Sequence, residues 1–242
     1  MAKIQEPVGQ GRLVGWSAGL DLVTVGATWV LFLFALPFLE VHGFELETLV
    51  AGGLIGLPLV VVGFLTASRC RAVSEQDNAR RAKLVVVALL VGIVVGAANL
   101  GANVALAAAD PAIRALLQEH FAEPLPWARV ASVAVVEEIV SRLFLMSVVA
   151  WIASRFLNNA RTVFLTALIV SAFLFAVPHL LGRPLPTHSA LAALYASGVV
   201  VKSGLAGLVL GWLYWRRGLP YAMLCHFAAN GLHKVFEPML FS

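Results

Sequence analysis

Ala131-Ser-Val-Ala-Val-Val-Glu137-Glu138-Ile-Val-Ser-Arg142-Leu-Phe-Leu-Met146 is an apolar run that carries two adjacent carboxylates and a guanidinium. Near a bilayer centre each such group costs about 2.5–3.5 kcal/mol on insertion scales. Three of them within six residues is a heavy burden for one lipid-facing helix. Ionisable groups at membrane depth face the protein interior and mark a pathway or a reaction centre. The stretch therefore predicts a membrane helix bundle with a polar site built inside it.

The rest of the chain agrees. Its 242 residues are 60% hydrophobic and 12% charged, and the mean hydropathy is +0.90. Soluble domains carry about 25% charged residues. Seven apolar segments can be marked, at about 14–39, 48–68, 84–109, 130–156, 162–181, 190–215 and 218–241, against about 20 residues for one crossing. Residues 111–123 are amphipathic and predict an interfacial helix, which Pro124, Pro126 and Trp127 end. The expected fold is all-α: a polytopic bundle of about seven transmembrane helices plus that interfacial helix, forming one integral membrane domain over 1–242. The basic residues before the first segment precede an apolar stretch too long for a signal peptide, with no small-x-small cleavage site.

Loop charges divide 11 to 4. Lys3, Arg12, Arg69, Arg71, Arg80, Arg81, Lys83, Arg155, Arg161, Arg216 and Arg217 fall on one side. Arg114, Arg129, Arg183 and Lys234 fall on the other, with Glu40, Glu45 and Glu47. The positive-inside rule then gives a cytoplasmic N-terminus and an external C-terminus. The net charge of +4 has no soluble basic domain to carry it, so no nucleic-acid partner is expected. Cys70 and Cys225 cannot make a disulfide framework and are expected as free thiols. Richness in Ala, Val, Leu, Gly and Arg suits a high-GC bacterium, hence a bacterial cytoplasmic (inner) membrane.

Glu138 and Arg142 are four apart and share a helix face, so they suit a charge-assisted pair. Glu137 is turned about 100° away and can address something else. The plain alternative is an ion-pair knot that fixes packing. His179 follows Phe175 by four residues on another segment, with Pro178 freeing backbone groups before it. His226 and Asn230 are four apart on the last segment, and His233 continues their stripe. A single membrane histidine is most simply a packing residue. The combination on three segments suits amide hydrolysis, which needs an activated water and a stabiliser for the oxyanion. A partly desolvated glutamate can serve as base, one imidazole can hold the water, and a second imidazole with a carboxamide can donate to the oxyanion.

Glu137-Glu138-x-x-x-Arg142, Phe175-x-x-x-His179 and His226-x-x-x-Asn230 resemble the three ordered motifs of the CPBP family. This is the family of CAAX prenyl endopeptidases and bacteriocin-processing enzymes, also called Abi. The resemblance covers a core of about residues 130–235. It implies a glutamate-dependent intramembrane endopeptidase, and the residue types themselves favour a mechanism with no metal cofactor. By motif position Glu137 would be the general base, and His179 would orient and activate the water. His226 and Asn230 would form the oxyanion pocket, and Glu138 and Arg142 would order the site. His233 lies outside the motifs and is kept as a supporting candidate. The substrate expected is a membrane-associated protein or peptide, such as a C-terminal sorting tail, met within the lipid bilayer.

Three other readings use the same residues. Two histidines with one or two carboxylates could hold zinc, although the His-Glu-x-x-His helix is absent and Asn230 is a poor zinc ligand. A proton-coupled transporter could use Glu137, His179, His226 and Lys202 as carriers. A catalytically silent immunity or assembly factor would tolerate loss of Glu137. Elsewhere, Lys202 could neutralise a buried carboxylate or snorkel. Asp21, Asn99 and Asn103 are read as interhelical hydrogen-bonding residues, and Gly204, Gly207 and Gly211 as a close-packing face. The basic loop 69–83 is read as a topology signal that could also meet anionic lipid.

Overall fold

The computed structural model describes residues 22–36, 46–70, 78–121, 126–181, 185–187 and 189–241. Among these the regular elements are all helical. They are α1 (Leu22–Ala35), α2 (Leu46–Cys70), α3 (Asn78–Ala109), α4 (Pro111–Phe121) and α5 (Trp127–Glu138). A π-helical segment (Ile139–Met146) joins α5 to α6 (Ser147–Ala153). Then come α7 (Ala160–Ala176), a 3-10 turn (Val177–Leu180), α8 (Ser189–Arg217) and α9 (Leu219–Phe241). Lys3, Arg12, Asp21, Glu40, Glu45, Arg71, Pro124 and Arg183 lie outside the described residues. The side chains of Glu47, Arg69, Cys70, Arg80 and Arg81 are not described either.

Each apolar segment read from the sequence contains a helix. Ala82–Ala109, Ala160–Leu180 and Ala190–Arg217 are long and apolar enough to cross a membrane, and Thr24–Ala35 and Leu54–Ala67 are shorter apolar helices. Length and composition thus support three crossings directly. The helices α5 and α9 carry Glu137, Glu138 and His226 of the site. The outward faces are apolar: Val94, Ile169, Phe173, Val201 and Leu205 are each more than half exposed. Water penalises such faces and lipid does not.

Small residues set the helix spacing. α3 and α9 run parallel, and Gly92 and Gly96 bring α3 onto the α9 backbone. A Cβ on Gly96 would lie 2.8 Å from the Ala229 carbonyl oxygen, and one on Gly92 would collide with that of Cys225. The expected glycine face of α8 packs on α7: a Cβ on Gly207 would lie 3.1 Å from Ala172 Cα and one on Gly211 2.7 Å from Leu168 Cδ1. Gly218, at φ 112°, reverses the chain between α8 and α9, a conformation open to glycine and strained for other residues. These registers place Lys83, Arg155, Arg161, Arg216 and Arg217 at one end of the bundle. Arg114, Arg129 and Lys234 lie toward the other.

α4 forms where expected. Asp110 Oδ1 accepts from the Ala112 N–H at 2.7 Å, and buried Ile113 and Leu117 pack the helix against Leu106, Tyr195, Val199 and Phe241.

Candidate active site

The stretch 131–146 does not stay α-helical. Its hydrogen bonding changes after Glu138, and Ile139–Met146 forms a π-helix. Such widened turns occur mostly as single-turn bulges, frequently at functional sites. The sequence reading expected one uninterrupted helix. The change in hydrogen-bond register leaves the apolar pattern intact and so leaves no mark in the sequence. Ser147 Oγ donates to the Arg142 carbonyl at 3.3 Å and lies 2.8 Å from the Tyr214 hydroxyl, tying the segment to α8.

Glu138 and Arg142 are both fully buried, with Arg142 Nε 3.3 Å from Glu138 Oε2. The expected pair is present as an ion pair whose angle falls short of a hydrogen bond, since neither atom has a hydrogen-bond partner. The guanidinium lies over the Phe175 ring, 4.6 Å from its centroid. Phe175 also meets the His179 ring at 4.7 Å and the edge of His226 at 6.1 Å. The first residue of Phe-x-x-x-His is thus the apolar plate against which the other site groups are arranged.

His226 sits between the paired glutamates. Its Nδ1 is 2.9 Å from Glu138 Oε1, and its Nε2 is 3.7 Å from Glu137 Oε2. The adjacent carboxylates diverge by one residue's rotation and still address opposite nitrogens of one ring. Glu137 Oε2 is buried without a hydrogen-bond partner among the described residues. A gap of 3.7 Å is too long for a direct bond and short enough for one water to touch both atoms.

His179 is fixed by backbone. Its Nδ1 is 2.8 Å from the Phe175 carbonyl oxygen, which can only accept, so Nδ1 carries a proton and in the neutral ring Nε2 is an acceptor. Pro178 lacks an N–H, and the chain tightens there into the 3-10 turn. His179, His226 and Asn230 all line one cavity of about 500 Å³. Glu137 is not among its lining residues and is linked to it through His226. The structure therefore brings three of the four candidate residues to one cavity and sets the fourth beside one of them. Asn230 has no hydrogen-bond partner among the described residues, so its amide N–H groups are available. Among the described residues, no group of three or more His, Cys, Asp or Glu is arranged to hold a metal ion, and Glu138 is already shared by Arg142 and His226.

Sequence reasoning missed Glu237. It is buried and lines the same cavity with Lys202 and His233. Asn103 makes the interhelical bond expected of it, donating from Nδ2 to Glu237 Oε1 at 2.9 Å. Asn99 lines the cavity. Cys225 is a buried free thiol, as expected.

An apolar helical bundle with a carboxylate–imidazole–carboxylate cluster beside an internal cavity defines a membrane-protein class that keeps its polar site inside. The family model described as Type II CAAX prenyl endopeptidase Rce1-like matches residues 120–232. The matched segment holds all three motifs, in agreement with the CPBP resemblance. No curated protein and no solved structure matches the chain.

Proposed function

We propose that the protein is an intramembrane endopeptidase that hydrolyses a peptide bond of a membrane-associated protein or peptide by glutamate-assisted attack of water. The observation that carries this reading is the His226 ring held between Glu137 and Glu138 beside a cavity lined by His179 and Asn230. Glu137 Oε2 takes a proton from the water, whose oxygen attacks the scissile carbonyl carbon. His179 Nε2 accepts the water's other hydrogen and orients it. The tetrahedral oxyanion takes hydrogen bonds from the Asn230 amide and from His226 Nε2–H in the doubly protonated ring. As the C–N bond breaks, Glu137 returns its proton to the leaving amine. Glu138 and Arg142 hold the imidazole and touch no substrate.

The 2.9 Å bond between His226 Nδ1 and Glu138 Oε1 favours a second reading of one residue. A carboxylate-oriented imidazole is also the arrangement of a general base. In that version His226 Nε2 takes the water proton and Glu137 steadies the ring. Substitution separates the two: Glu137→Gln abolishes turnover in the first and slows it modestly in the second.

The seven-crossing bundle, the bacterial inner membrane and an outward-facing site are parts of the same proposal. They are supported by seven apolar segments and by the cavity's place toward the end away from Arg155, Arg161, Arg216 and Arg217. That side suits trimming of secreted or membrane-anchored tails. The test is cleavage of membrane-anchored peptides by the purified protein in lipid nanodiscs, with and without a strong chelator. Chelator-resistant cleavage that Glu137→Gln abolishes is the expected result. Chelator-sensitive cleavage would favour zinc. Proton or solute flux without cleavage would favour transport.

A further inference from the structure

Four polar residues beside the candidate site form a hydrogen-bonded chain that the three motifs do not include. Lys202 Nζ on α8 donates to Asn103 Oδ1 on α3 at 2.5 Å. Asn103 Nδ2 donates to Glu237 Oε1 on α9 at 2.9 Å. His233 Nδ1, one turn earlier on α9, meets the same oxygen at 2.5 Å. Asn103, His233 and Glu237 lie outside residues 120–232.

The donor directions follow from chemistry. An ammonium only donates, so Asn103 must present its oxygen to Lys202 and its NH2 to Glu237. Lys202 supplies the charge that balances Glu237 as a carboxylate. A carboxylate only accepts, so His233 donates from Nδ1. In the neutral ring Nε2 is then the bare acceptor, and His233 lines the cavity. His226, Asn230 and His233 form one stripe of α9, because seven residues return to within about 20° of the starting direction. His233 stands about 10.5 Å along the axis from His226, or about three residues of extended peptide.

We propose that His233 is a substrate-binding residue: its Nε2 accepts a backbone N–H of the peptide about three residues from the cleaved bond, and Glu237, Asn103 and Lys202 are the positioning residues that fix the ring for this. The proposal rests on the endopeptidase reading and adds a subsite to it. An extended peptide presents such N–H groups at regular intervals, and one left unpaired in the cavity would weaken binding.

A peptide series in which each backbone N–H near the cleaved bond is replaced in turn by an ester oxygen tests this on the unaltered protein. One ester, about three residues out, is expected to raise KM about three- to tenfold with kcat held. His233→Phe is expected to raise KM for the all-amide peptide by the same factor and to abolish the penalty of that ester. Glu237→Gln, which frees the ring to change tautomer, is expected to give an intermediate rise. An ester series with no position that His233→Phe neutralises overturns the proposal. Binding of a fluorescent peptide to Glu137→Gln protein, with and without His233→Phe, reads the same subsite without turnover. If the wild type cleaves nothing, the endopeptidase reading falls, and equal peptide binding by the two proteins would then overturn the subsite separately.

Discussion

At the scale of single residues, the paired glutamates divide the work by environment. Glu138 is fully buried against Arg142, while the Glu137 side chain is 35% exposed. Glu137→Gln is expected to lower kcat at least about 10²-fold, the lower range for a lost general base, with helical content unchanged by circular dichroism. Asn230→Ala is expected to lower kcat about 10²–10³-fold, the effect of losing one oxyanion donor, measured on the same peptide. Arg142→Met strips the buried Glu138 of its guanidinium and leaves it only the His226 ring, and is expected to destabilise the fold by up to about 3–5 kcal/mol, the range for breaking a buried pair. The double variant Glu138→Gln/Arg142→Met should recover part of that loss, which thermal unfolding in detergent would measure. These residues were readable because ionisable groups in apolar runs are costly and therefore stand out. Glu237 was not: it lies near the chain end, and its Asn103 partner is 134 positions away.

At the scale of elements, helix existence was written plainly in the hydropathy, and their contacts partly so. The α8 glycines were read correctly as a packing face. Gly92 and Gly96 make a closer approach and were not singled out, because a small-x-x-x-small pattern names no partner. Gly96→Leu is expected to separate α3 from α9 and abolish the peak of folded protein on size-exclusion chromatography. Gly101→Ala, where an added Cβ meets nothing within 4 Å, should leave the elution profile unchanged. The π-helical segment was unreadable, since apolar periodicity reports faces and not hydrogen-bond register. Tyr214→Phe removes the hydroxyl that meets Ser147 and is expected to cost about 1 kcal/mol.

At the scale of the whole molecule, those charged residues of the sequence map that are described lie toward two opposite ends of the bundle, and orientation becomes a labelling question. A cysteine at Arg114 in Cys70→Ser/Cys225→Ala protein is expected to react with an impermeant maleimide in intact cells, and one at Arg161 only after permeabilisation. The reverse pattern would place the cavity on the cytoplasmic side. The α3–α9 seam has a mechanical consequence. The backbone carbonyls of Cys225 and Ala229 rest on Gly92 and Gly96, bracketing His226 with main chain on main chain. No rotamer change can loosen a seat that contains no rotamers. The imidazole is bolted to stiff ground, and any breathing that admits a polypeptide must come from the opposite wall.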